Sequence, residues 1–243
     1  MMIVMKFWTA VVNVLCLPLH LIKALGLYEG YKRVIFPMWL SRFTEAYNKI
    51  MKEEKKELFR SLSEFAPSRG PLTILEVGCG TGANFEFYPA GSRVLCTDPN
   101  PHFQKYLKTN IAKNDHLTYE QFVVASGEDL GSFEDESVDA VVCTLVLCSV
   151  RDVTATLREA IRVLRPGGAF FFLEHVVADP STWTYFFQHV IQPLWYYFGD
   201  GCAVTRESWK YLDEAGFSDL KLRHIEAPIA RVVKQHVVGY GIK

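Results

Sequence analysis

A short apolar strand that runs without a gap into three alternating glycines constrains this chain more than any other feature. The stretch is Ile74-Leu75-Glu76-Val77-Gly78-Cys79-Gly80-Thr81-Gly82. Without a Cβ at Gly78, Gly80 and Gly82 the backbone can turn sharply and let a ligand approach closely. An acid, Asp98, follows Gly78 by twenty residues, at the end of a second apolar stretch, Arg93-Val94-Leu95-Cys96-Thr97. In a doubly wound sheet that spacing sets a carboxylate beside the glycine turn, where it can accept hydrogen bonds from both ribose hydroxyls. The pattern implies a nucleoside-containing cofactor.

Gly78-x-Gly80-x-x-Ala83 also satisfies the dinucleotide pattern, and such a match alone is weak. Two features favour S-adenosylmethionine. Gly82 completes GxGxG, and Glu76 lies in the strand two residues before the first glycine. Carboxylates suit a ligand with a sulfonium and an ammonium group, whereas a pyrophosphate calls for a helix N-terminus and cations. Downstream, Phe122–Ala125 reads as a third strand and Val138–Leu145 as a buried one by its apolar run. Thr154–Leu164 reads as a helix stopped by Arg165-Pro166-Gly167-Gly168, and Ala169–His175 as another buried strand. Alternating strands and helices imply a mostly parallel sheet covered on both faces. Leu220–Ala227 and His236–Ile242 have no helix between them, which predicts a closing antiparallel pair.

This order resembles class I S-adenosylmethionine-dependent methyltransferases, with a Rossmann-like α/β fold and a seven-stranded sheet. More narrowly, Glu76–Phe85, Asp98-Pro99-Asn100-Pro101, Cys143–Val150 and Thr205–Lys210 resemble the methyltransferase-like seven subfamily of microsomal alkyl-thiol S-methyltransferases. The resemblance implies methylation of small lipophilic thiols. It also implies residence on the endoplasmic reticulum membrane and lipid droplets, with the catalytic domain facing the cytosol. It assigns Gly78, Cys79, Gly80 and Gly82 to the loop beneath the methionine and ribose, with Glu76 in support. Asp98 would take the ribose hydroxyls, and Pro99 and Asn100 would border the adenine. Relatives commonly bind the adenine amine through an aspartate where this chain has Ser126, leaving Gly127 and Glu128 to read the base edge.

A formal net charge of −1 provides no electrostatic footprint for nucleic acid. The six cysteines lack paired CxxC spacing, so neither a disulfide framework nor a metal site is expected. From Phe7 to Ile22 sixteen residues carry no formal charge, between Lys6 and Lys23. That is short for a spanning helix, which needs about twenty apolar residues, so residues 1–40 read as a monotopic membrane anchor. A span, or a helix packed on the domain, is the alternative. Residues 41–70 read as a lead segment with an amphipathic helix from Phe43 to Phe65. Its charged run, Lys52–Glu57, is taken as a solvated face; the resemblance to class I methyltransferases, where a helix in this position closes over the cofactor, implies Tyr47 as a contact. The methyltransferase domain fills 71–243, and loss of residues 1–28 is expected to leave cofactor binding intact.

Residues 181–201 hold eight aromatics in twenty-one positions and follow the Ala169–His175 strand. They read as a lid over an apolar pocket or as a helix packed on core or membrane. A thiol acceptor must react as its thiolate, and at a pKa of about 8.5 little is ionised near neutrality. His175, at a strand end, is the first candidate base and Asp200 the second; core packing is the alternative for His175 and for Cys148. Competing readings are a C- or O-methyltransferase of quinones, sterols or lipids, a non-catalytic membrane scaffold, and a nicotinamide oxidoreductase.

Overall fold

In the computed structural model, which describes residues 2–243, seven strands form one sheet in the order β3-β2-β1-β4-β5-β7-β6. They are β1 (Thr73–Val77), β2 (Arg93–Thr97), β3 (Thr118–Val123), β4 (Val138–Thr144), β5 (Leu164–His175), β6 (Asp219–Glu226) and β7 (Gln235–Ile242). Only β7 runs antiparallel to its neighbours, closing the sheet between β5 and β6 as the missing helix predicted. β1 and β4 are buried on both faces, as expected of a covered parallel sheet.

The third strand begins four residues before its expected start and ends at Val123. It is an edge strand whose Thr118, Glu120 and Gln121 are exposed, so its apolar run marks only its end. The expected Phe43–Phe65 helix is two. α4 (Phe36–Ile50) and α5 (Lys52–Arg60) meet at buried Met51, and a 3-10 turn follows. The charged run is not wholly solvated: Lys55 is buried and donates to the Oδ1 atoms of Asn48 and Asn84. α6 (Gln104–Ile111) and α7 (Val153–Val163) flank the sheet. α7 is capped by Asp152, whose side chain accepts from the Ala155 N–H.

At the N-terminus α1 (Met2–Leu15) and α2 (Leu17–Ala24) meet at a 48° bend, with a proline in the first turn of α2. No single helix among the described residues is long and apolar enough to cross a membrane. Two short turns, α3 (Tyr28–Gly30) and a π-helical turn over Tyr31–Ile35, lead into α4. The aromatic segment forms α8 (Trp183–Phe198), and α9 (Ser208–Glu214) follows. α1 packs along α8, tied by Thr9 Oγ1 donating to the His189 carbonyl at 3.2 Å. Tyr28 and Tyr31 donate to the carbonyls of Tyr197 and Phe198. The N-terminal segment and the aromatic helix therefore form one surface.

Candidate active site

Beyond the carboxyl ends of the parallel strands, the glycine turn, the N-terminal segment and the loop after α8 enclose a cavity of about 830 Å³. Ligands bind at this edge in open α/β sheets.

At the β1 and β2 end, Gly78, Gly80 and Gly82 all take positive φ (62°, 49° and 74°). A Cβ on Gly78 would lie 2.5 Å from Val146 Cγ2, and one on Gly82 would press on Leu107 and Phe85 at 2.9 Å. Asp98 is buried, with Oδ2 accepting from the Gly80 N–H at 3.0 Å and Oδ1 from the Asn100 N–H at 2.8 Å. A carboxylate has about four acceptor sites, so each oxygen keeps one toward the cavity. Burial pushes the Asp98 carboxyl up to about 7, against the pull of those two N–H groups. A rigid turn with a fixed carboxylate beside it fits an adenosine ribose.

The structure sorts the residues expected around the cofactor. Gly78, Gly80, Asp98, Pro99, Ser126, Gly127 and Glu128 line the cavity. Glu76 lies behind the turn, where it accepts from Asn84 Nδ2 and Tyr88 OH, both at 2.8 Å. Its place is a buttress, since Lys55, Asn84, Glu76 and Tyr88 form a continuous buried chain. Burial raises Glu76 to about 7 and lowers Lys55 to about 8. Cys79 points into the core, and Gly82 borders a neighbouring cleft. The Asn100 side chain caps the next turn and donates to the Lys32 carbonyl at 2.9 Å.

At the other end, Leu145 takes a positive φ of 57°, uncommon for a branched side chain, as the chain leaves β4. Val146 N–H donates to buried Glu174 at 2.9 Å, and Arg206 Nη1 donates to the Leu147 and Val150 carbonyls. This fixed loop delivers Cys148 to the cavity. His175, the last residue of β5, lies with its Nε2 2.9 Å from Cys202 Sγ. Cys148, His175 and Cys202 hold their sulfur and nitrogen atoms within 4.8 Å of one another, all buried. The Cys202 hydrogen bond holds the Cys148 thiol well below its ordinary range, against burial, and His175 adds to this. Burial is the strongest single influence and would lower the imidazole, but the charge and hydrogen bond of Cys148 and the Glu174 carboxylate together outweigh it and hold His175 above its ordinary value. Tyr47 lines the same cavity and bonds His236 at 3.0 Å.

Asp200, with φ 47°, pairs with Lys32 at 3.2 Å across the cavity mouth. It therefore ties the N-terminal segment to the loop after α8. Of the eight aromatics of the expected lid, Trp195 and Tyr196 reach the cavity, while Trp183, Phe187 and Phe198 face outward. Lys23, Tyr28, Lys32 and Trp39 also form cavity wall. The segment read as a separate anchor thus contributes to the site, and loss of residues 1–28 would remove part of that wall. Sequence spacing gave no sign of Cys202, His236 or Lys32. A signal that could have found Cys202 is the Gly199-Asp200-Gly201-Cys202 turn directly after the aromatic run, which can return the chain to the site.

A methyltransferase domain family matches residues 75–172, spanning the glycine turn to β5. Human thiol S-methyltransferase TMT1A is 56% identical over 90% of this chain and 90% of its own length. The chain belongs to the thiol S-methyltransferase family. Human thiol S-methyltransferase TMT1B is 46% identical over 96% of both chains. Among solved structures, the CurJ carbon methyltransferase matches with a TM-score of 0.62 over 84% of this chain and 58% of its own, at 20% identity. That likeness speaks to the fold alone. As a member of the thiol S-methyltransferase family, the chain uses S-adenosylmethionine, and the glycine turn with Asp98 fits it.

Proposed function

We propose that this chain transfers the methyl group of S-adenosylmethionine to the sulfur of small lipophilic thiols at a membrane surface. One observation carries the reading: a single cavity joins the Asp98 turn to a mostly apolar far end holding Cys148, His175 and Cys202. The strands bearing Gly78 and His175 are separated by β4 alone, so the two ends lie roughly 10 Å apart at the ordinary strand spacing. That suits a nucleoside at one end and an acceptor at the other, met in line by the methyl group. Asp98 would hold the ribose, Gly78 and Gly80 the methionine side, and Pro99, Gly127 and Glu128 the adenine. His175 is the residue beside which the acceptor sulfur ionises, and the Asp200–Lys32 pair spans the cavity mouth. Positioning supplies much of the rate, because the sulfonium is already a good leaving group. Similarity to relatives named for thiol methylation supports sulfur as the acceptor atom.

Membrane attachment is supported by large apolar side chains exposed on α1, α2 and α8. Phe7, Trp8, Leu15, Leu21, Trp183 and Phe198 are each about half or more exposed. A surface of that kind suits an interfacial segment lying in the headgroup region and lets a lipophilic thiol enter from the bilayer beside Trp195 and Tyr196. Residence on the endoplasmic reticulum membrane and lipid droplets, with the domain in the cytosol, follows from the same reading. The chemical test offers the full chain each alkyl thiol beside its isosteric alcohol. Label is expected on the thiol only; methylation of alcohols or quinols in its place would refute sulfur. Flotation with vesicles tests the surface: Phe7→Glu with Trp8→Glu should release the protein, and retained binding would reject this face.

A further inference from the structure

We propose that Cys148, His175 and Cys202 form a site for one zinc ion whose open position receives the acceptor thiol. The inference rests on the thiol-methylation reading and specifies how that acceptor is held ionised.

The three residues come from three separate pieces of chain: the loop after β4, the end of β5 and the turn after α8. The Ala203 N–H donates to the Cys148 carbonyl at 2.8 Å and locks two of those pieces together. All three donor atoms are buried and lie within 4.8 Å of one another. Tetrahedral zinc with ordinary bond lengths would separate two sulfurs by about 3.8 Å and a sulfur from a nitrogen by about 3.6 Å. The Cys202 Sγ to His175 Nε2 separation of 2.9 Å is a hydrogen-bond distance, so metal uptake asks these two atoms to part by about 0.7 Å.

Two sulfurs and one imidazole with a vacant fourth position form a catalytic rather than a structural zinc set. The vacancy has a direction, because all three residues line the cavity that reaches the Asp98 turn. A second observation concerns the sulfur. Trp195 Nε1 points at Cys202 Sγ at 3.1 Å, and an indole N–H can only donate. Cys202 sulfur thus accepts from the indole while its own proton is held toward Cys148; a metal would take the place of that proton with an outer hydrogen-bond donor already in position. Among the described residues buried His175 Nδ1 has no hydrogen-bond partner, so the polar contact of the imidazole is made through Nε2, toward the sulfurs.

Two thiolates and a divalent cation sum to zero charge, leaving the metal receptive to one more anion. A coordinating thiol is deprotonated outright. As the acceptor sulfur binds, its S–H bond breaks and the proton leaves to solvent. The sulfur lone pair then forms the S–CH₃ bond while the methyl–sulfonium bond breaks, its electron pair remaining on the departing donor sulfur. The product thioether is neutral, a weaker ligand, and leaves.

The test uses the full chain in detergent, loaded with zinc and dialysed, with metal measured by mass spectrometry. The account expects one zinc per chain, retained in Cys16→Ser. In Cys148→Ser, Cys202→Ser and His175→Gln, zinc affinity should fall by more than about 100-fold, beyond the loss of an outer partner. Calorimetric binding of S-adenosylmethionine confirms that each variant is folded. Equal zinc in wild type and in the double cysteine variant, or no zinc in wild type, overturns the site. Cobalt in place of zinc reads the open position. An alkyl thiol should add thiolate-to-cobalt charge-transfer absorption, and an unchanged spectrum overturns the acceptor role. If metal binds but no thiol is methylated, the reaction assignment fails while the metal site stands.

Discussion

Replacing Asp98 by Asn tests the cofactor end of the cavity with almost no change in shape. The carboxylate is held by the N–H groups of Gly80 and Asn100, and its remaining lone pairs face the cavity. Two ribose hydroxyls donating to a charged acceptor are worth about 1.5–3 kcal/mol each, so the substitution should weaken S-adenosylmethionine binding by roughly 10²–10⁴-fold. The carboxyl is raised to about 7 by burial, so the cofactor-free protein holds a proton here that binding must expel. Affinity should then rise about tenfold per pH unit below 7 and level off above it. The stability linkage has the opposite sense. With its folded value above the unfolded one, Asp98 contributes stability at low pH that is lost as pH rises through about 7. Asp98→Asn should therefore flatten the binding profile and remove this pH dependence from the melting temperature of cofactor-free protein. Calorimetric titration from pH 5.5 to 8.5 measures the binding, and scanning calorimetry the stability. An Asp98→Asn protein with wild-type affinity, or with the same pH slope, would refute the ribose assignment.

Gly78→Ala meets both a positive φ, costing about 1–2 kcal/mol, and Val146 at 2.5 Å. It should reduce cofactor affinity, and Val146→Ala should restore part of the loss; full rescue would mean the backbone angle is unimportant. Asn84→Ala leaves Glu76, Lys55 and Thr144 short of a buried partner, costing about 2–4 kcal/mol. Its melting temperature should drop by roughly 5–15 °C, and an unchanged melt would remove the buttress from the account. Lys32→Ala opens the pair with Asp200 and should raise KM for cofactor and thiol a few-fold at near-constant stability. Deleting residues 1–28 should detach the protein from vesicles and also weaken ligand binding, because Lys23 and Tyr28 form cavity wall; undiminished affinity would separate the anchor from the site.

The parallel core was readable because its strands are apolar runs between glycine and proline punctuation, and because GxGxG with a delayed Asp98 has few alternative meanings. β3 was partly hidden since an edge strand alternates polar and apolar residues, and only its end is a continuous apolar run. The break at Met51 was hidden because one buried methionine inside a charged stretch looks like any helical residue. Lys55 was misread for a related reason: a lysine run gives no sign of which member turns inward, and here Asn48 and Asn84 receive it. Glu76 was readable as important, but whether it faces ligand or core depends on Asn84 and Tyr88, which lie beyond the strand. The far end of the cavity was least legible. Cys148, His175 and Cys202 span fifty-five positions, and only the sheet order and the re-entrant turn after α8 bring them together.

Transfer of label from methyl-labelled S-adenosylmethionine to a panel of alkyl thiols, phenols and quinols by the purified full chain tests the central claim most directly. The account predicts labelled methyl thioethers as the products, formed by wild type and lost in Asp98→Asn at limiting cofactor. Label recovered only on phenols or quinols, or equal yields from Asp98→Asn and wild type, would contradict it.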